Sequence, residues 1–236
     1  MKKNNISISI LLLLFVLGLS NYSCNNNETT APENNTKVNE TGAFTDSRDN
    51  KTYHWVKIGN QTWMSENLNY DAGTGSWVYH EIVYNNDSVN VATYGRLYDW
   101  ETACNVCPDG WHLPSDIEWT ELTNYLESNG YGYGGSGNDI AKSMAATSGW
   151  IGIDSVGTVG NDQASNNSSG FSALPGGGRV YGTCSALQFS GYWWSSSEFD
   201  SSDAYCRFMH ANFKEVLRNH YSKSYGISIR CIKNSV

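Results

Sequence analysis

The chain has 236 residues, with 15 Lys+Arg against 23 Asp+Glu and a net charge of -8. That length allows one domain plus appendages, and that charge makes nucleic acid and anionic lipid poor partners for the bulk of the surface. Nine Trp and fifteen Tyr in a chain rich in Gly, Ser and Asn point to an extracytoplasmic protein, with most of the aromatics expected in the core.

Residues 1–23 read as a targeting segment: Lys2 and Lys3 form a charged end, and Ile6 to Leu19 an apolar run too short for a comfortable membrane span. Asn21-Tyr22-Ser23-Cys24 follows and resembles a bacterial lipoprotein signal, which would leave Cys24 as a lipidated N-terminus. Asn21 departs from the usual aliphatic residue three before the cysteine, so ordinary secretory cleavage stays open. Cleavage removes two lysines and no acids, taking the charge from -8 to -10. Residues 24–43 hold Asn, Thr, Glu and Pro with almost no apolar content, and are expected to be a disordered tether.

The domain is expected over 44–236. Asp46 to Lys51 looks like a turn, Tyr53 to Ile58 alternates as a strand, and Gly59-Asn60 is a tight turn into Gln61 to Leu68. Residues 71–93 look irregular, and Arg96 to Ala103 is compatible with a short helix. The stretch Cys107 to Trp119 comes next. Pro108, Asp109-Gly110 and Pro114 exclude regular structure from its first half. Its second half reads as a helix start: Ser115 can cap, and Glu118 reaches back from three residues on. Trp119, Leu122 and Leu126 then repeat on one helix face, predicting a helix over about 116–128. Trp111 and Trp119 each demand a large apolar site.

Tyr131 to Gly137 is a glycine loop without the features of a phosphate cradle. Asp139 to Thr147 reads as a second helix, and 154–170 as a long polar loop. Phe171 to Arg179 is a second rigid loop. Strands are expected at Tyr192 to Ser197, Tyr205 to Met209, Phe213 to Leu217 and Gly226 to Lys233. Two helices early and short strands late make an α+β domain with small antiparallel sheets.

Six blocks carry a family resemblance: Val56 to Tyr70, Gly95 to Trp100, Cys107 to Trp119, Ser169 to Gly177, Tyr192 to Ser197 (including Trp194), and Gly226 to Lys233. In this order they resemble the Fibrobacter succinogenes major paralogous domain, common in surface lipoproteins of Bacteroidetes and relatives. The match spans about residues 44–234. More distantly, the family resembles the C-type-lectin-like fold shared with formylglycine-generating enzymes. This implies a mixed domain with a twisted antiparallel sheet and long loops. It implies little chemistry, because one fold carries many functions. Cys107 and Cys231 lie inside these blocks, so a disulfide between them is the expectation. It would close a loop of more than a hundred residues and add ~4–5 kcal/mol in the chain-entropy model. Pairing of Cys104 with Cys184, Cys206 or Cys107 stays open.

Catalytic patterns are scarce. None of His54, His80, His112, His210 and His220 pairs with another at metal-ligand spacing. His112 is expected to bond backbone groups of its loop. Ser195-Ser196-Ser197 lacks the glycines of a nucleophile elbow. Cys104-x-x-Cys107 sits in no redox or zinc context, and structural disulfides suit an exported chain better. Glu198, Asp200 and Asp203 read as a solvated acidic loop rather than a calcium site. Arg179 and Arg230 are expected to fasten loops through their donors. Trp77, Tyr79, Tyr131, Tyr133 and Tyr181 lie in irregular segments where exposed rings could stack on sugars. The expectation is therefore a non-enzymatic, cofactor-free, surface-tethered lipoprotein. Its lectin-like binding or adhesion module would take a glycan or a surface protein. The membrane would be met only through the N-terminal lipid, at the outer membrane or cell surface, or else the protein would be periplasmic or secreted. The alternatives are a purely structural or interaction domain and a divergent oxidase of the formylglycine-generating type.

Overall fold

The computed structural model describes residues 39–79, 87–135 and 137–235. The chain divides between Lys37 and Val38, and the fold below is that of Val38–Val236. The expected targeting segment, Cys24, most of the expected tether and His80 lie outside the described residues.

The first strand, β1 (Thr41–Thr45), begins before the expected boundary at residue 44. Composition hid it, because its rows of Thr and Gly gain their place by pairing with β2 (Thr52–Ile58), Thr41 opposite Val56 and Thr45 opposite Thr52. The Asp46–Lys51 turn joins them, closed by Asn50 N–H to Asp46 O at 2.8 Å. β3 (Gln61–Met64) follows the Gly59-Asn60 turn as expected but ends short of the expected Leu68. Within the stretch read as irregular lie β4 (Ser76–Trp77) and the helix α1 (Asp87–Tyr94). Arg96 to Ala103 is not one helix. β5 (Leu97–Tyr98) pairs with β4, and only α2 (Trp100–Ala103) is helical, started by Asp99 accepting from Thr102 N–H at 2.9 Å.

β6 (Trp111–His112) precedes α3 (Asp116–Ser128), whose bounds and capping box are those expected. The second expected helix shrinks to α4 (Ala141–Met144). Nothing caps its start, and the chain leaves it at Ala145 to bridge with Ala173. β7 (Gly176–Val180) and β8 (Thr183–Leu187) form a hairpin that begins within the stretch Phe171 to Arg179, expected as a rigid loop. β9 (Ser190–Glu198), β10 (Asp203–His210) and β11 (Leu217–Ser222) make a three-stranded sheet. Residues 213–216, expected as strand, are its connection. Their backbone is engaged elsewhere, Phe213 O accepting from Val159 N–H and Lys214 O from Ala141 N–H.

β12 (Ile232–Lys233) sits inside a five-stranded sheet of order β1-β2-β3-β12-β6. The expected long last strand is broken because 226–232 serves several sheets in turn. Ile227 bridges to Tyr98, Ser228 to Trp193, and Ile232 pairs with both Trp63 and His112. This last segment therefore binds the pieces together. The result is an α+β domain with small antiparallel sheets and few helices.

Two apolar clusters share the core. One gathers Trp63, Trp119, Phe171 and Trp193, and the other Met64, Tyr98, Trp111 and Trp194. β9 lies between them, since neighbouring residues of a strand face opposite ways. Trp193 enters the first cluster, Trp194 enters the second, and Tyr192 packs at its edge.

Candidate functional site

The frame comes first. Cys107 and Cys231 form the expected disulfide, Cα atoms 6.0 Å apart and 124 residues apart in sequence. Cys107 is therefore not half of a redox pair with Cys104. Cys104 is an exposed free thiol and Cys206 a buried one, so no second bridge joins them. Burial pushes the Cys206 thiol up to about 12.

His112 corrects one expectation. Its ring bonds side chains rather than backbone: Nδ1 meets Asn234 Oδ1 at 2.6 Å and Nε2 meets Glu118 Oε1 at 2.9 Å. The other oxygen of Glu118 accepts from Ser115 N–H at 2.7 Å. The helix cap and the C-terminal strand are thus one unit. Arg230, fully buried, fastens loops as expected. It donates to Phe171 O, to Ser172 O at 3.1 Å and to Asn67 Oδ1 at 3.1 Å. Trp119 donates to Trp194 O at 3.2 Å and Trp194 to Tyr98 O at 2.8 Å. Arg179 acts differently from expectation, since its guanidinium lies over the Trp77 ring at 4.2 Å while its backbone pairs with Gly226.

This frame supports an aromatic cleft beside the β7–β8 hairpin. Gly178, Val180, Ser185, Tyr192, Tyr221, Tyr225 and Ile227 line a small recess of about 90 Å³. A side-chain carbon on Gly178 would point into it, 3.4 Å from Ile227 Cγ2 and 3.7 Å from Tyr192 Cδ2. Glycine there keeps the floor open. Around it the rings form a continuous series. Tyr181 meets Tyr225 at 5.5 Å, Tyr225 meets Tyr221 at 6.2 Å, and Tyr221 meets Tyr192 at 5.8 Å. Tyr192 stacks on Phe208 at 4.8 Å, and Phe208 meets Phe213 at 5.9 Å. Burial pushes the Tyr221 hydroxyl up to about 12, so it stays a neutral hydrogen-bonding group. It accepts from Asn219 Nδ2 at 3.1 Å.

Of the five candidate ligand residues, Tyr181 alone stands at this cleft as an exposed ring. Trp77 is half-buried beneath Arg179 and packs against Gly226. Tyr79 is only 7% exposed and its hydroxyl accepts from Leu187 N–H at 3.4 Å. Both brace the hairpin from behind. Tyr131 is 9% exposed beside Tyr125, so it belongs to the core. Tyr133 is exposed but sits against Gly157 and Lys214, apart from the others. Tyr192, Tyr221 and Tyr225 were not singled out from sequence. Tyr192 was legible only as one of several strand aromatics, since the strand face it takes is set by the sheet.

The acidic loop is internally committed. Glu198 accepts from Lys223 Nζ at 2.9 Å, Asp203 meets His220 Nδ1 at 2.8 Å, and Asp200 accepts from Ser202 and Asp203 N–H. Among the described residues, no group of three or more His, Cys, Asp or Glu is placed to hold a metal ion.

The sequence matches the family model described as Fibrobacter succinogenes major domain over residues 56–233. No curated protein and no solved structure matches the chain. The matched span runs from the middle of β2 through β12, taking in the disulfide, the Arg230 network and the whole aromatic cleft. On that extent, the chain belongs to the Fibrobacter succinogenes major domain family.

Proposed function

We propose that this protein is an exported binding module, anchored by a lipid on Cys24 to the outer membrane or cell surface, and that its aromatic cleft takes a glycan. The observation that carries the reading is the series of rings from Tyr181 through Tyr225 and Tyr221 to Tyr192 around an open, glycine-floored recess. Aromatic faces stack on the apolar C–H surface of sugars, while Ser185 and the tyrosine hydroxyls can read hydroxyl groups. The kinship with C-type-lectin-like folds implied by the family resemblance belongs to this same reading.

Binding without chemical conversion is part of the proposal. The cleft lining contains no carboxylate, histidine, cysteine or lysine to act as acid, base or nucleophile. The export signature at residues 1–24 supports display outside the cytoplasm.

A glycan array probed with the domain 38–236, and with Tyr192→Ala and Gly178→Leu variants beside it, tests the idea. Binding of defined glycans is expected, lost in both variants and with the glycan recovered unchanged. Failure to bind any glycan, or binding that both variants keep, rejects the cleft as a sugar site.

A further inference from the structure

We infer that the β7–β8 hairpin carries a second ligand site, on the face away from the recess, where Arg179 takes the carboxylate of a sugar acid. Only the assignment of the ligand as a sugar rests on the reading above. Three observations converge.

The first is an unanswered cation. The chain has six arginines, and five have acceptors. Arg48 donates to Asp46, Arg96 to Asp71, Arg207 and Arg218 to Asp116, and Arg230 to the carbonyls of Phe171 and Ser172. Among the described residues, the guanidinium of Arg179 has no hydrogen-bonded acceptor and no carboxylate partner. It lies instead over the Trp77 ring, 4.2 Å from the centroid. In a chain with 23 Asp+Glu, that is an exception.

The second is that the cation is held in place. The backbone of Arg179 is fixed to Gly226 in both directions, N–H to O at 2.7 Å and O from N–H at 2.8 Å. A side-chain carbon on Gly226 would stand 2.9 Å from Trp77 Cε3 and 3.1 Å from Arg179 Cβ. Glycine there lets the indole and the arginine come together. Both side chains are half-buried. An arginine stacked on an aromatic ring keeps its planar fork of donors ordered and available.

The third is strain at the same hairpin. Three of the non-glycine residues with positive φ are Asn50, Asp162 and Asn167, types that tolerate it. The other four are Ser172, Tyr181, Ala186 and Gln188, and three of these fall within residues 181–188. Tyr181 is 88% exposed, so burial gives little in return for its strain. Strain without a packing gain points to function. A side-chain carbon on Gly182 would stand 3.7 Å from Arg179 Nη2. The guanidinium therefore reaches the turn that carries the exposed Tyr181 ring.

These features select the ligand. One guanidinium matches one carboxylate, two parallel N–H groups to two oxygens. A phosphate monoester brings nearly twice the charge, which one cation answers only in part. The net charge of -8 works against any anion at long range, so the local fork decides. An exposed tyrosine beside it suits the apolar C–H surface of a sugar ring. Gly178 and Val180 line the recess, and alternation along the strand turns Arg179 to the other face.

Titration calorimetry on the soluble mature chain carrying Cys24→Ser, with galacturonic and glucuronic acid against galactose and glucose, tests the inference. At least one acid is expected to bind on the order of tenfold more tightly than its neutral counterpart, the scale of a charge-assisted pair. Arg179→Gln should remove that preference, and Arg179→Lys should restore only part of it, because lysine keeps the charge without the fork. Gly178→Leu should leave it intact. In a proton–nitrogen spectrum, the Arg179 Nε–H signal, identified by its loss in Arg179→Lys, should move with the acid and not with the neutral sugar. Equal affinity for acid and neutral sugar, a preference that survives Arg179→Gln or is lost in Gly178→Leu, or an unmoved Nε–H signal overturns the site. Tighter binding of a blocked glutamate than of either sugar acid overturns the sugar assignment in favour of an acidic protein partner. Sugar acids that fail to bind while the recess binds glycans on the array overturn this inference alone. Sugar acids held by Arg179 while the array shows no binding at the recess overturn the earlier reading alone.

Discussion

The guanidinium of Arg230 and the indole N–H of Trp193 converge on one atom, the side-chain oxygen of Asn67, at 3.1 and 2.8 Å. The amide nitrogen of Asn67 donates in turn to Tyr94 O at 2.9 Å and Ser228 Oγ at 3.3 Å. Asn67, from the loop after β3, therefore ties together α1, β9 and the final segment. Arg230 is buried with carbonyls and this amide as its partners, and burial pulls its pKa down to about 9. An arginine so placed depends on every acceptor it has.

Replacing Asn67 by Leu removes an acceptor from two buried donors at once. A loss of about 2–4 kcal/mol is expected, the cost of leaving such groups short of partners. Urea unfolding of both proteins measures it, with the midpoint falling and the slope unchanged. A loss below about 1 kcal/mol would mean that the network contributes little.

The disulfide gives a second test. Cys107→Ser with Cys231→Ser, or a reducing agent on the wild type, opens a link spanning 124 residues. The chain-entropy model sets the loss at about 4–5 kcal/mol. The melting temperature should fall equally by either route. Because Cys104 is not bridged, Cys104→Ser should leave it unchanged.

Acid stability should depend on Asp116. Burial pushes its carboxyl up, but hydrogen bonds from Arg218 and Arg207 outweigh this and hold it below its ordinary 3.8. Arg207 Nη1 approaches at 2.7 Å and Arg218 Nε at 2.9 Å. As pH falls, the unfolded chain takes up this proton first. The stabilisation is therefore complete above 3.8 and lost as pH drops through the lower folded value. Asp116→Asn should cost about 2–3 kcal/mol near neutrality, chiefly by leaving buried Arg207 uncompensated, after allowance for the exposed Arg218. Its thermal stability should also fall less steeply than the wild type's below 3.8.

The N-terminal segment divides at β1. Deleting residues 25–38 from the mature protein should leave the melting temperature unchanged. Deleting 25–45 removes a strand paired along its whole length with β2 and should lower it by several degrees. In full-length protein, Cys24→Ser should move the chain from the membrane fraction to the soluble one. An unchanged distribution would reject lipidation.

Local chemistry was legible wherever neighbours in sequence decide the structure. The helix over Asp116–Ser128 follows from Ser115, Glu118 and an apolar face, all within one segment. The β2–β3 hairpin follows from alternation and a two-residue turn. The Cys107–Cys231 bridge followed from family blocks rather than from spacing. Short pairings were not legible: Gly176–Val180 carries three glycines that argue against a strand, yet it pairs with Thr183–Leu187.

The sequence by itself determined the capped helix Asp116–Ser128, the Gly59-Asn60 turn and a surplus of aromatic rings. Only the tertiary structure decided which rings meet. Tyr192, Tyr221 and Tyr225 come from β9, β11 and the turn that follows it, and their convergence needs the register of β9, β10 and β11 and the path of the last segment. A strand turns successive side chains to opposite faces, so Tyr192, Trp193 and Trp194 look alike in sequence. Which face reaches solvent depends on what the other sheets have already covered. That is settled by long-range pairing and burial, which no local pattern records.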